Sequence, residues 1–202
     1  MRLVITGSPG VGKHTSAELV AKRLQETPIV DINRIVLDNN AVFENNEEKR
    51  DQNDCTNQYG IDIDVYKARQ LLTEEIKSKQ NVLIVGHLAP YVLKAVDVDL
   101  VVVLRRSPYQ LKEVLQARRY TLRKINENIA CEILGITLYD ALDTFGKRKV
   151  IELDTSTRSP NNCADEIVSL LQNKSKAKSF VGAVDWLSVV YENGDAREFL
   201  EY

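Results

Sequence analysis

The chain is poor in the residues that build metal centres and disulfide frameworks. Its three cysteines, Cys55, Cys131 and Cys163, are far apart, odd in number and without metal-ligand spacing. That pattern excludes a disulfide scaffold and a zinc site of ordinary spacing, and reduced thiols are expected. Histidine occurs twice, as His14 and His87, and tryptophan once, as Trp186. No apolar run approaches the ~18 residues of a membrane-crossing helix. Neither sign of charge prevails, since 27 Lys and Arg face 29 Asp and Glu for a net −2. A broad cationic field is therefore missing, and no direct sequence-specific nucleic-acid partner and no membrane partner are expected. The first residues enter a strand pattern at once, with no basic-apolar leader, so the expected location is cytoplasmic.

What the chain does have is alternation. Residues 3–5, 28–32, 82–85, 100–104 and 149–153 read as strands, and of these 82–85 and 100–104 are continuous apolar runs. Runs of this kind fit strands buried on both faces of a parallel sheet. Between them lie segments with apolar residues at helical spacing, at 13–25, 64–79, 161–172 and in two helices within 109–135. The expected fold is α/β, a doubly wound five-stranded parallel sheet. Residues 38–60 are rich in Asn, Asp, Gln and Glu and read as an insert. A Lys/Ser stretch at 174–179 reads as a linker to an amphipathic tail with Trp186, Leu187 and Val190, assigned to core packing over a partner groove.

One motif carries chemistry. Gly7-Ser8-Pro9-Gly10-Val11-Gly12-Lys13 matches G-x-x-x-x-G-K, after an expected strand and before an expected helix. Glycines let backbone N–H groups turn inward around an anion, the helix N-terminus adds its positive end, and Lys13 supplies a point charge for outer phosphates. The residue after the lysine is ordinarily Ser or Thr, whose hydroxyl binds Mg²⁺. Here it is His14, with Thr15 next. An imidazole suits a hard cation poorly, which leaves the phosphates, waters or Thr15 to hold the metal. His14 reads as an exposed first-turn residue rather than a catalytic one.

The order of motifs resembles the adenylate kinase isoenzyme 6 family, the archaeal and eukaryotic nuclear branch of adenylate kinases. Besides residues 7–15, the resemblance rests on Leu104-Arg105-Arg106-Ser107-Pro108-Tyr109, Arg118-Arg119-Tyr120, Lys124-Ile125, Glu127-Asn128-Ile129 and Cys131-Glu132-Ile133, with Ile32-Asn33, Asp54-Cys55 and His87 in support. It covers about 170 residues.

The resemblance implies a P-loop nucleoside monophosphate kinase core at 1–175, with a monophosphate-binding insert at about 33–56 and a lid at about 117–127, followed by a helical tail at 176–202. The implied reaction is phosphoryl transfer from Mg·ATP to AMP, giving two ADP. Gly10, Gly12, Lys13, His14 and Thr15 match positions that hold ATP phosphates. Arg118 matches a lid arginine on the nucleotide, Arg105 an arginine at the end of the fourth strand, and His87 a histidine after the third. Lys13, Arg105, Arg118 and His87 are thus the expected catalytic set, with ATP and Mg²⁺ bound and no protein-only metal site.

The family also acts in small-ribosomal-subunit maturation, so a small-subunit ribosomal protein is an implied partner. Slow ATP hydrolysis in that service and a kinase for another nucleoside monophosphate stay open.

Three positions depart from the family's pattern. Val85 stands where an acid could order the metal's waters, Arg119 where a glycine is usual, and Val114 where a second lid arginine is usual.

Some residues carry a reading of their own. Arg118 is in phase with Leu111 and Leu115, so an inward guanidinium there would need an anion, either a phosphate or a protein carboxylate. His87 sits beyond the carboxyl end of a strand, where α/β sheets bind ligands. It is either a positioning and proton-relay group or a satisfied hydrogen-bonding histidine. Residues 154–157 pack on adenine in similar kinases, or else cap the following helix. Asn33 and Arg34 lie where AMP could enter.

Overall fold

The computed structural model describes residues 1–42, 63–172 and 181–200. The expected polar insert falls largely outside these residues, as do Cys55, the Lys/Ser linker and the proposed boundary at 175.

Five strands form one parallel sheet in the order β2-β3-β1-β4-β5. They are β1 (Arg2–Gly7), β2 (Ile29–Asp31), β3 (Val82–Val85), β4 (Leu100–Arg105) and β5 (Val150–Asp154). Alternation along each strand divides the core. Leu3, Ile5, Leu83, Val85, Val102 and Leu104 face one side, while Val4, Val82, Ile84, Val101 and Val103 face the other. Both faces are covered, which is why the strands read as continuous apolar runs.

Helices α1 (Lys13–Arg23), α5 (Pro108–Ala117), α6 (Leu122–Ile133) and α8 (Pro160–Gln172) cover the first face. Helices α2 (Ile32–Asp38), α3 (Val65–Lys77), α4 (Ala89–Val92) and α7 (Ile136–Phe145) cover the second. Two tail helices, α9 (Trp186–Glu192) and α10 (Ala196–Leu200), add Val190 and Phe199 to the first cluster. There Phe199 meets Tyr109 edge to face at 5.2 Å.

The expected doubly wound parallel sheet is what the chain builds, with two differences. Residue 32 does not end a strand. The Asp31 side chain accepts from the amides of Asn33 (2.9 Å) and Arg34 (3.4 Å), and this N-cap turns the chain into α2. Helix α7 is an element the sequence reading leaves unassigned. It starts at Gly135, in the left-handed region at φ 66°, and buries Leu138, Ala141 and Phe145 at helical spacing. Among the described residues no helix is long and apolar enough to cross a membrane.

Candidate active site

The glycine-rich loop joins β1 to α1 and is held from three sides. At Gly7 a Cβ would lie 2.4 Å from the Leu104 carbonyl of β4. At Gly10, φ is +93° and a Cβ would lie 2.7 Å from Leu111 Cδ1 of α5. The loop therefore packs tightly on the neighbouring strand and helix, and a side chain at either point would push it away. On the third side, the Thr155 hydroxyl, after β5, lies 3.2 Å from the Val11 carbonyl and 2.9 Å from that of Arg105. Gly12 precedes α1 without a side-chain cap. The first amides of that helix are thus left for a ligand.

Lys13 is 6% exposed, and its ammonium donates to the carbonyls of Gly7 and Ser8, each at 2.9 Å. An ammonium has three donors, so one is uncommitted among the described residues. Burial, and then the positive charge of Arg118, lower its pKa to about 8, against the opposing pull of Glu132 and Asp31. The Arg118 charge is thus felt at the buried ammonium.

Arg118 does not point inward from α5, as its phase with Leu111 and Leu115 suggested. It is the exposed residue that ends the helix. The cations around it narrow the choice of lid group. Lys112 is paired with Glu198, and Arg123 and Lys124 with Glu127. The Arg118 guanidinium has no hydrogen bond or ion pair with another described residue, and its charge reaches Lys13.

Arg105 lies at the end of β4, as expected, but deep in the protein. It is 3% exposed, and its three nitrogens are taken. Nε meets Glu132 Oε1 at 2.7 Å, Nη1 meets Glu152 Oε1 at 2.5 Å, and Nη2 donates to the Glu132 carbonyl at 2.8 Å. Three of its five N–H groups are committed in this way. Its place is behind the loop, joining β4, β5 and α6.

Glu132 passes this brace to the loop by accepting from Ser8 Oγ at 2.5 Å. Burial pushes the Glu132 carboxyl above the ordinary range, although Arg105, Ser8 and the Arg106 amide pull the other way. Beyond Glu152, the amides of Gly182 (2.8 Å) and Ala183 (3.1 Å) donate to its second oxygen.

His14 is exposed in the first turn of α1, as its position suggested, but it has a partner: Nε2 lies 2.8 Å from Asp31 Oδ2. Burial alone would raise the Asp31 carboxyl, but the hydrogen bond and charge of His14, with the Arg34 and Asn33 amides, hold it below the usual range. Thr15 is exposed one residue on. His87 is half-buried in the turn after β3, one strand from the loop. Arg34 faces solvent, paired with Asp38 at 3.3 Å.

Sequence reasoning missed Asp31, Ser8, Glu132 and Glu152 as members of this constellation. Two of them carried a signal. Asp31 is an acid between a strand and a helix, which is the N-cap position. Glu132 lies three residues after Ile129, a charge on the apolar side of α6, where a buried partner is needed.

Comparison with known proteins agrees with this geometry. The AAA domain family model matches residues 3–135. A "Putative adenylate kinase" of Pyrococcus abyssi is 34% identical over 192 residues, covering 95% of this chain and 94% of that protein. One of the same name from Methanocaldococcus jannaschii is 31% identical, covering 95% and 96%. In fold, the chain is similar to a shikimate kinase from Bacteroides thetaiotaomicron, with a TM-score of 0.56 at 17% identity, covering 85% of this chain and 98% of that one. It is also similar to a gluconokinase from Sinorhizobium meliloti, with a TM-score of 0.52 at 14% identity, covering 88% and 97%. With this loop, this sheet order and these relatives along nearly its whole length, the chain belongs to the adenylate kinase isoenzyme 6 family of P-loop kinases, the archaeal-type branch of the adenylate kinases.

Proposed function

We propose that the protein transfers the γ-phosphoryl group of Mg·ATP to AMP, giving two ADP. The observation that carries this reading is the buried Lys13 ammonium, with one donor uncommitted among the described residues, at a loop whose helix-start amides are uncapped; the charge of the lid's Arg118 acts on it as well. A buried ammonium with a second positive charge acting on it is stabilised when a polyanion binds beside it. The names of the full-length relatives supply the acceptor.

In this reading the loop amides and Lys13 grip the donor's phosphates, and Arg118 closes on the transferring group from the lid. Phosphoryl transfer asks mainly for positioning and charge neutralisation, so no covalent enzyme intermediate is needed. AMP would enter beside α2, near Asn33 and Arg34. The loop at 154–157, which touches the glycine-rich loop through Thr155, would border the adenine of ATP. His87 would help position the acceptor. The reaction belongs with the cytoplasmic nucleotide pool.

Magnesium, when bound, neutralises phosphate charge. Among the described residues no cluster of three or more His, Cys, Asp or Glu side chains could cage an ion. Mg²⁺ in kinases rests on phosphates and waters with one or two protein oxygens. Thr15 offers a hydroxyl beside the loop.

The test is a coupled ADP assay with ATP and a panel of nucleoside monophosphates. ADP formation should depend on AMP, and Lys13→Ala should lower turnover by at least about a hundredfold. Absence of saturable ATP binding, or full turnover in Lys13→Ala, would overturn the proposal. Slow hydrolysis indifferent to every monophosphate, but stimulated by a small-subunit ribosomal protein, would replace it with an assembly ATPase.

A further inference from the structure

The chain lacks a carboxylate at Val85, and an imidazole occupies the place of the loop's metal-binding hydroxyl. These two departures meet at one residue. Asp31, the last residue of β2, is level with Val85 on the adjacent β3, and Val85 is level with Ile5 on β1, just before the loop. A carboxylate is thus present at the same height of the sheet, one strand further out. From there it reaches the loop, because its Oδ2 lies 2.8 Å from Nε2 of His14 in the first turn of α1. His14 immediately follows Lys13, so the contact brings an anionic oxygen to the turn where a serine or threonine would otherwise offer its hydroxyl.

We propose that Asp31 orders the water shell of the magnesium ion in bound Mg·ATP, and that His14 aims its carboxylate there; this rests on the Mg·ATP reading above.

The donor chemistry suits the role. Oδ1 is occupied by the α2 amides of Asn33 and Arg34, while Oδ2 has His14. A carboxylate has about four lone-pair sites, so Oδ2 can accept from a metal-bound water while keeping His14. The side chain keeps 28% of its surface open, which leaves a path for water. Mg²⁺ dehydrates reluctantly, so a carboxylate acting through water needs no closer approach than this. Aiming is necessary because α2 alone would hold only one oxygen and leave the other free to turn toward solvent. His14 is thereby a positioning residue.

Isothermal titration with ATP, once in Mg²⁺ and once in EDTA, measures the gain in affinity that the metal confers. Asp31→Asn is the informative variant, since asparagine caps a helix about as well as aspartate and preserves α2. The wild type should bind ATP more tightly in Mg²⁺. Asp31→Asn should lose about tenfold of that gain, equivalent to about 1.4 kcal/mol. Its affinity in EDTA should be unchanged or slightly higher, because a negative charge near the phosphates is gone. His14→Ala should lose a smaller part of the gain, and His14→Gln, which keeps a donor, should recover it.

If Asp31→Asn weakened binding equally with and without metal, or kept the full gain, the Asp31 assignment would fall while Mg·ATP binding stood. If the wild type itself gained nothing from Mg²⁺, both this inference and the Mg·ATP reading would fall together.

Discussion

At the scale of the residue, Lys13 is where sequence, burial and function meet. The motif demands a lysine there, its ammonium is buried against the Gly7 and Ser8 carbonyls, and Arg118 adds a like charge. With a folded pKa of about 8 against an ordinary 10.5, the unfolded chain holds a proton through that window that the folded one has released. Stability therefore rises with pH from about 8 to 10.5, and below about 8 the full cost of the buried charge, about 3 kcal/mol, is present. A triphosphate reverses this, because an anion beside the ammonium favours its charged form. ATP binding at about pH 9 should thus take up protons. Calorimetry in buffers of different ionisation enthalpy measures the uptake, and Lys13→Met should abolish it. Uptake that is absent in the wild type, or unchanged in the variant, would mean that another group senses the phosphate.

At the scale of the element, the end of α5 explains a substitution that the sequence could only flag. Arg119 donates its amide to the Gln116 carbonyl at 2.8 Å, and Tyr120 to that of Leu115 at 3.2 Å. That is the helix-ending pattern in which the residue after the cap takes the left-handed conformation. Arg119 does so, at φ 60°, and Tyr120 then packs on the cluster containing Leu115. An L side chain costs about 1 kcal/mol there. Arg119→Gly should stabilise the protein by about 1 kcal/mol, or roughly 2–4 °C in Tm. Urea and thermal unfolding measure it, and a loss of stability would show that the arginine makes a compensating contact.

The elements themselves were largely legible. The five expected strands are all present, and 82–85 and 100–104 were the plainest, because strands buried on both faces leave a continuous signal. Helix α7 was not assigned, although Leu138, Ala141, Leu142 and Phe145 are spaced for it, because it follows α6 after the single Gly135, without a loop to punctuate the pattern. The loop motif could be read because its glycines and lysine are local. Asp31 and Glu132 carried local signals, but their pairing with His14 and Arg105 could not be read, since it depends on which elements become neighbours.

At the scale of the whole molecule, that brace changes what Arg105 is for. Ser8, Glu132, Arg105, Glu152 and the amides at 182–183 form one chain of hydrogen bonds from the loop through α6, β4 and β5 to the tail, buried as far as Glu152 and part-buried at its end. Removing the central cation strands two buried carboxylates. Arg105→Ala should therefore cost about 3–5 kcal/mol of stability before any question of rate arises. Adding Glu132→Gln and Glu152→Gln should return part of it. Chemical denaturation separates the two roles. An Arg105→Ala protein of full stability and collapsed turnover would put the guanidinium back on the substrate.

The same brace orders events in time. Ser8 and Glu132 are 124 positions apart, and Val11 and Thr155 are 144 apart. Contacts this distant along the chain form slowly, since much of the intervening polypeptide must be gathered first. The glycine-rich segment therefore takes its final shape only once α6 and the turn after β5 have been gathered to it.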